Sequence, residues 1–250
     1  MNMLKKIEEY WNKRKRVGKK NQILAKLTSE ERKLISHIRS RKLTYLSESK
    51  LASINHTCRS IEKAGLSGLF VEAGCALGGS TILIASTKSA ARPLFVYDVF
   101  DMIPAPTKED TPDIHDRYQT IVQGKSKGID GDKYYGYVDN LYSVVQSNLD
   151  SFNINCQEQS VFLIKGLVQE TMHLNQAVAF AHIDVDWYEP VMTCLKRVFP
   201  HLVVGGSIIL DDYYDWGGCK KATDEFLREI PQKFVLDDSA DSLKITKINH

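Results

Sequence analysis

Four aspartates in two short segments carry the plainest chemistry in this chain. His182-Ile183-Asp184-Val185-Asp186-Trp187-Tyr188 and Gly205-Gly206-Ser207-Ile208-Ile209-Leu210-Asp211-Asp212-Tyr213 each read as an apolar strand that delivers acids at its C-terminal end. In an open α/β sheet, ligands bind in the crevice outside the carboxyl ends of the strands. Asp184, Asp186, Asp211 and Asp212 would converge there. Carboxylates brought this close repel one another unless a cation compensates. A hard divalent ion with oxygen ligands suits them.

A second constellation lies upstream, in Phe70-Val71-Glu72-Ala73-Gly74-Cys75-Ala76-Leu77-Gly78-Gly79-Ser80. A short strand runs into a glycine-rich turn that opens a helix. The spacing is G-x-x-x-G-G, so it is not the dinucleotide fingerprint, and no Lys-Ser/Thr pair follows to make a phosphate loop. Glu72 at the strand end would repel a pyrophosphate but suits a cationic cofactor. Asp98 ends the next strand, where an acid can accept both hydroxyls of a ribose. S-adenosylmethionine, a sulfonium carrying an adenosine ribose, meets both conditions. The bland alternative is a tight turn flanked by two solvated acids.

The elements that would position these residues follow a βαβ rhythm. Residues 3–16, 29–41 and 49–64 read as helices, with Thr28-Ser29-Glu30-Glu31 as an N-terminal cap ahead of Leu34, Ile35 and Ile38. The spacing then predicts strands over 68–74, 93–98, 160–165, 177–184 and 207–211. Helices are expected over 80–88, 139–152, 189–198 and 219–230. Residues 233–236 and 243–248 read as a terminal antiparallel hairpin. Residues 99–138 break the rhythm with three prolines, four glycines and many Asp, Lys and Tyr. A connection of that length inside a compact domain is usually functional or disordered, and at the sheet's carboxyl edge it reads as a lid. The organisation expected is an N-terminal helical extension over 1–64 and a Rossmann-like α/β domain over 65–250. Its mostly parallel seven-stranded sheet would end in the antiparallel hairpin, with the lid as an insertion.

Several of these motifs, in this order, resemble the macrocin O-methyltransferase family of class I S-adenosylmethionine-dependent enzymes, which methylate sugar hydroxyls. The resemblance spans roughly residues 42–230. It rests on the glycine-rich turn, Thr44-Tyr45-Leu46-Ser47, Asp98-Val99-Phe100-Asp101-Met102-Ile103-Pro104 and Lys165-Gly166-Leu167-Val168-Gln169-Glu170-Thr171. It continues through Ile183–Glu189, Asp211-Asp212-Tyr213 and Gly218–Phe226. The resemblance implies Mg²⁺ at Asp184, Asp211 and Asp212. It implies the methionine end of the cofactor along Glu72, Ala73, Gly74, Gly79 and Ser80, with Asp186 toward its amino group or the substrate. Asp98 would hold the ribose, and the backbone at Gly166 and Val168 would border the adenine. Either Asp184 or Asp186 would take the proton from the acceptor hydroxyl. Two positions depart from the family pattern. Gly166-Leu167-Val168 stands where an aromatic contact is usual, and Val185 stands where a glycine is common and would crowd the metal or the substrate.

Other residues are less specific. His182, inside an apolar strand, reads as a satisfied core histidine. His115 reads as a loop residue or an alternative base. Tyr134, Tyr135 and Tyr137 could stack on a sugar face or pin the lid to the body. Tyr213, Tyr214 and Trp216 are expected to wall the acceptor pocket.

Composition narrows the function classes. The chain has 250 residues and a net charge of +2. Residues 1–20 hold eight Lys/Arg against two Glu, a local +6, which leaves the remainder mildly acidic. Such an arm could touch nucleic acid or anionic lipid. Read as a solvated helix, it gives no reason to expect a nucleic-acid partner, and no Asn/Asp-Pro-Pro-Tyr amino-methylation motif is present. Five cysteines with no C-x-x-C pair argue against zinc or a disulfide framework and fit a reducing cytoplasm. No apolar run reaches 18 residues, so no membrane span is expected. The partner expected is a small-molecule hydroxyl acceptor, a glycoside or, as the alternative, a catechol-like molecule. Homo-oligomerisation is expected from the resemblance.

Overall fold

The computed structural model describes residues 18–230 and 234–248. The helix expected over 3–16 and most of the basic arm lie outside them. Seven strands form one sheet: β1 (Leu69–Ala73), β2 (Leu94–Asp98), β3 (Val161–Lys165), β4 (Val178–Ile183), β5 (Leu202–Leu210), β6 (Phe234–Asp237) and β7 (Leu243–Lys247). Their order across the sheet is β3-β2-β1-β4-β5-β7-β6. The first five are parallel, and β7 inserts antiparallel between β5 and β6. The chain thus builds outward from β1 in one direction, then reverses from β1 to β4. That reversal makes a topological switch point, where open sheets bind ligands.

The helices are α1 (Ser29–Ser40), α2 (Glu48–Lys63), α3 (Gly79–Thr87), α4 (Pro112–Val122), α5 (Leu141–Asp150), α6 (Val168–Thr171), α7 (Tyr188–Val198) and α8 (Gly217–Glu229). Thr28 caps α1 in a reciprocal box with Glu31, an arrangement that contributes about 1 kcal/mol to a helix. Glu31 also pairs with Arg59 of α2 at 2.6 Å, locking the two helices together.

Period-two alternation sorts the strand side chains onto two apolar layers. Phe70, Phe180 and Ile209 face the layer built by α1, α2, α3 and α5. Val71, Ala181, Ile208 and Leu210 face the layer built by α7, α8 and the hairpin. The N-terminal helices therefore form part of the core, with Ile35, Ile38, Leu51 and Ile54 fully buried against the sheet layer. Among the described residues, no helix is long and apolar enough to cross a membrane.

The insertion over 99–138 differs from the loop expected. It contains α4, with Pro112 in its first turn and Ile114 and Ile121 buried. Proline at that position is a helix-start signal, masked by the prolines and charges around it. Strand β5 is also longer than its apolar core suggests. It begins at Leu202 and passes Gly205 at φ +83°, where its register to β4 shifts.

Gly74 fixes the end of β1. Its φ is +83°, and a Cβ there would sit 1.8 Å from the Asp184 carbonyl oxygen. Gly74→Ala should cost about 2–4 kcal/mol, combining left-handed strain with overpacking against backbone. Urea denaturation would read it, and a loss under about 1 kcal/mol would show that the turn relaxes freely.

Candidate active site

The strand ends are held in register beyond the ladder itself. Gly74 N donates to Tyr97 O at 2.8 Å, Asp184 N to Ala73 O at 2.8 Å, and Gly166 N to Asp98 O at 2.9 Å. These bonds bring the turns after β1, β2, β3 and β4 to one edge. Two adjoining clefts open there, sharing Gly74, Asp98, Ile103, Tyr135, Asp184, Asp186 and Trp187.

The first cleft lies toward β2 and β3. It is lined by Tyr97, Val99, Ile103, Gly166, Leu167 and Val168, with Val185 on the β4 side. Val185 packs over Gly74, its Cγ1 3.3 Å from where a glycine Cβ would lie. It lines this cleft beside Asp184 and Asp186 and does not line the second.

Asp98 is the junction of the two clefts. Its Oδ2 accepts from Cys75 N at 2.7 Å and Ala76 N at 3.2 Å, and its Oδ1 accepts from Phe100 N at 2.7 Å. The carboxylate thereby organises the glycine-rich turn, a role the sequence reading did not foresee. Burial raises its pKa, and the three backbone donors pull it back.

The second cleft holds the acids. It is lined by Lys50, Cys75, Ser80, Arg117, Tyr134, Tyr135, Asp211, Asp212, Asp215 and Trp216, with Thr44 to Leu46 at its rim. Asp184, Asp186 and Asp212 can bring one oxygen each within 4.8 Å of one another, and so can Asp211, Asp212 and Asp215. The trio Asp184, Asp211 and Asp212 does not form such a group. Lys50 holds Asp211 Oδ2 at 2.9 Å, and Asp186 takes the third place beside Asp184 and Asp212. Asp186 adopts φ +53°, a left-handed conformation that aspartate tolerates better than most residues.

Desolvation is the largest cause of the raised pKa values here, with repulsion from neighbouring acids next. Asp184 rises to about 8 and Asp186 to about 6, while Asp212 lies well above its ordinary value. Arg117 draws Asp186 back down. Asp211 Oδ1 and Asp212 Oδ2 are buried without a hydrogen-bond partner. Buried carboxylate oxygens without partners are costly unless a cation satisfies them. The residues present therefore fit a divalent ion with oxygen ligands.

Several expected positions lie elsewhere. Glu72, Ala73 and Gly79 line neither cleft. Glu72 shares a sheet face with Phe70, and its register partner is His182. Its carboxylate accepts from Thr81 Oγ1 at 2.5 Å and meets His182 Nδ1 at 3.1 Å, all fully enclosed. His182 is a core residue with one ring nitrogen bonded and Nε2 buried without a partner. Gly79 instead lets the chain approach Leu43, whose carbonyl accepts its N–H at 3.0 Å. A Cβ there would meet that oxygen at 2.5 Å. Tyr213 turns away to donate to Asp224 at 2.6 Å, and Tyr214 is exposed. Neither lines a cleft, whereas Trp216 does. The short helix that follows Asp211 rotates both rings off the cleft. His115 is exposed on α4 and lines neither cleft. Tyr134 and Tyr135 line the acidic cleft, while Tyr137 anchors the insertion by donating to Ile121 O at 2.5 Å. Lys50 and Arg117 were not anticipated. Lys50 lies in a helix assigned to the extension, and Arg117 in a segment read as loop.

A family model described as macrocin O-methyltransferase matches residues 3–236. The chain belongs to that family. It is an O-methyltransferase. Demethyldecarbamoylnovobiocin O-methyltransferase of Streptomyces niveus is 24% identical over 189 residues, covering 73% of this chain and 67% of the relative. The solved O-methyltransferase NovP superposes with a TM-score of 0.64 at 22% identity, over 80% of each chain. The calicheamicin methyltransferase CalS11 has a TM-score of 0.59 at 16% identity, over 88% of this chain and 93% of its own. CalS11 is a TDP-rhamnose 3'-O-methyltransferase. These structural likenesses support the Rossmann-like class I architecture.

Raised carboxyl pKa values have a definite sign. Groups with folded pKa above the unfolded value of 3.8 stabilise fully below that value and lose the contribution as pH rises through the folded pKa. In EDTA, the melting temperature of wild-type protein should fall between about pH 4 and pH 8, and Mg²⁺ should restore it. Asp184→Asn should flatten the slope. A wild-type profile that is level in EDTA would show that the acids do not repel.

Proposed function

We propose that this O-methyltransferase uses S-adenosylmethionine and Mg²⁺ to methylate a hydroxyl on a sugar moiety of a natural product or glycan. The observation that carries the reading is the group of a buried Asp212 with half-buried Asp184 and Asp186, beside the junction of the two clefts. Family membership supports the methyl donor, and the relatives acting on demethyldecarbamoylnovobiocin and TDP-rhamnose support a glycosidic acceptor.

The two clefts divide the work. The first, apolar and bordered by Gly166, Leu167 and Val168, suits an adenine, with Asp98 beside the ribose. S-adenosylmethionine would supply the methyl group and leave as S-adenosylhomocysteine. Asp184, Asp186 and Asp212 would hold Mg²⁺, with Asp211 Oδ1 within the same crevice. A bound Mg²⁺ supplies Lewis-acid polarisation of a hydroxyl and compensates the buried acids. Tyr134, Tyr135, Trp187 and Trp216 form aromatic walls on which a sugar face can pack. Fixing the acceptor there gives the proximity and orientation that a single displacement needs.

A hydroxyl must also lose its proton. Asp186 is the base we assign: bound to the ion through one carboxylate oxygen, it would keep the other for the proton. Arg117 faces it and stabilises the ionised form.

The first experiment is calorimetric titration of S-adenosylhomocysteine into wild-type protein and Asp98→Ala. Micromolar binding is expected, weakened at least about tenfold in the variant, because the turn loses its acceptor and the ribose its partner. Folded protein that shows no binding would remove the cofactor assignment. With sugar acceptors, EDTA should abolish turnover and Mg²⁺ should restore it.

A further inference from the structure

The two cations that line the second cleft are in different states. Lys50 is complete. Its Nζ donates to Asp211 O at 3.1 Å, Asp211 Oδ2 at 2.9 Å and Asp215 Oδ2 at 2.7 Å, one oxygen for each ammonium proton. Arg117, on α4, is half-buried and lies over the face of Tyr134, its Cζ 5.4 Å from the ring centroid. Among the described residues, none accepts a hydrogen bond from its guanidinium or forms an ion pair with it. Its charge acts on Asp186, Tyr45 and Tyr134, which line the same cleft, yet no oxygen of theirs bonds to it.

An arginine in this condition selects what can bind beside it. Its planar fork carries five N–H donors and no acceptor. Solvent satisfies them while the cleft is open. A molecule that fills the cleft displaces that solvent and must bring oxygens of its own, or the guanidinium is left desolvated and unpaired at considerable cost. A neutral sugar hydroxyl offers one oxygen and no charge. A carboxylate or phosphate offers two oxygens at the spacing of the fork and compensates the charge as well. The acids of the cleft are engaged elsewhere. Lys50 holds Asp211 and Asp215, and Asp186 is grouped with Asp184 and Asp212.

We propose that Arg117 anchors an anionic group of the acceptor, so that the substrate is an acidic sugar carrying a carboxylate or a phosphate besides the hydroxyl to be methylated. The inference rests on reading the second cleft as the acceptor site. Two fixed points then orient the sugar, the oxyanion on Arg117 and the hydroxyl at the acid group, with the aromatic wall of Tyr134 and Tyr135 beside them. Two points and a wall select one hydroxyl among several that are chemically alike, because only one is held in line for displacement. A uronic acid would supply the carboxylate, and a sugar phosphate or nucleotide sugar the phosphate. The same fork recognises both.

The test titrates D-glucuronate, glucose 1-phosphate and glucose, by ligand-observed NMR, into protein saturated with S-adenosylhomocysteine and Mg²⁺. Wild type should bind at least one of the two anions about tenfold more tightly than glucose. The carboxylate and phosphate arms tell the two sources apart. R117M should bring that anion to the level of glucose, and R117K, which keeps the charge but not the fork, should fall between. Wild type that binds neither anion more tightly than glucose overturns the inference. So does a preference that survives in R117M, since the metal ion would then be what holds the anion. The acceptor-site reading fails separately: a preference that depends on Arg117 would remain, but sugar binding would be the same with and without Mg²⁺. If R117M does not fold, R117Q removes the charge behind a polar side chain and answers the same question.

Discussion

Desolvated negative charge is the constraint on which this site depends. Asp211 and Asp212 are buried and Asp184 and Asp186 half-buried at the strand ends, and Asp215 adds a fifth carboxylate at the edge. Ionised carboxylates in such a place are tolerated only beside cations or strong donors. Among the described residues, two cations line the acidic cleft, Lys50 and Arg117, each from an element outside the parallel sheet. They approach from different sides: Lys50 from the helical layer, Arg117 from the insertion after β2. Neither reaches all the acids. Asp184 and Asp212 remain without a basic partner of their own, and these are the two whose raised pKa values depend most on other acids after desolvation.

Strand alternation decides which acids enter that crevice. Glu72 and His182 fall on the face that carries Phe70 and Phe180, directly beneath α3. Burial alone would lower the His182 pKa, but the hydrogen bond and charge of Glu72, together with Asp184 and Asp211, raise it. The pair is a polar inclusion in the core, closed by Thr81 at the start of α3. It thus braces the turn from below, while Asp98 braces it from above through Cys75, Ala76 and Phe100. Two carboxylates that look alike in sequence, each near a strand end, have different tasks: Glu72 is paired on both sides within the sheet, whereas Asp98 lies one residue past the last β1–β2 pair and reaches the turn after β1.

Much of the fold was legible because it rests on short-range signals. Short apolar runs mark β1 to β4, and Thr28 with Glu31 marks the start of α1. The acids were legible because a strand that ends in Asp has only one edge to present them at. What was hidden is long-range. Lys50 lies 161 positions from Asp211, and nothing in the heptads around it separates a buried lysine from a solvated one. Helix α4 was hidden by its composition: Pro112, Asp113, His115, Asp116 and Arg117 read as loop until Ile114 and Ile121 find a surface to pack on. Tyr213 and Tyr214 were misplaced because a single helical turn after Asp211 reverses the direction that strand periodicity implies. Glu72 was misplaced for the opposite reason. It lies inside the strand, and alternation turns its side chain onto the Phe70 face, away from the crevice.

The insertion completes the site by bonding to both acid-bearing loops. Trp187 Nε1 donates to Pro104 O at 2.9 Å, and Tyr188 N donates to Asp110 Oδ1 at 2.7 Å, so Asp110 serves the first turn of α7 directly after Asp186. On the other side, Gly217 N donates to Asp113 Oδ2 at 2.9 Å at the start of α8, just beyond Asp215. Two helix N-termini, each following a pair of acids, thus take their acceptors from one segment. Free N–H groups at such termini favour negative charge, and supplying Asp110 and Asp113 there uses that preference for docking. The acids and the aromatic wall formed by Tyr134 and Tyr135 are consequently parts of one bonded unit. Trp187 and Tyr188, the two residues after Asp186, each bond to the insertion, so the loop that carries this acid is tied to the segment that carries the aromatic wall.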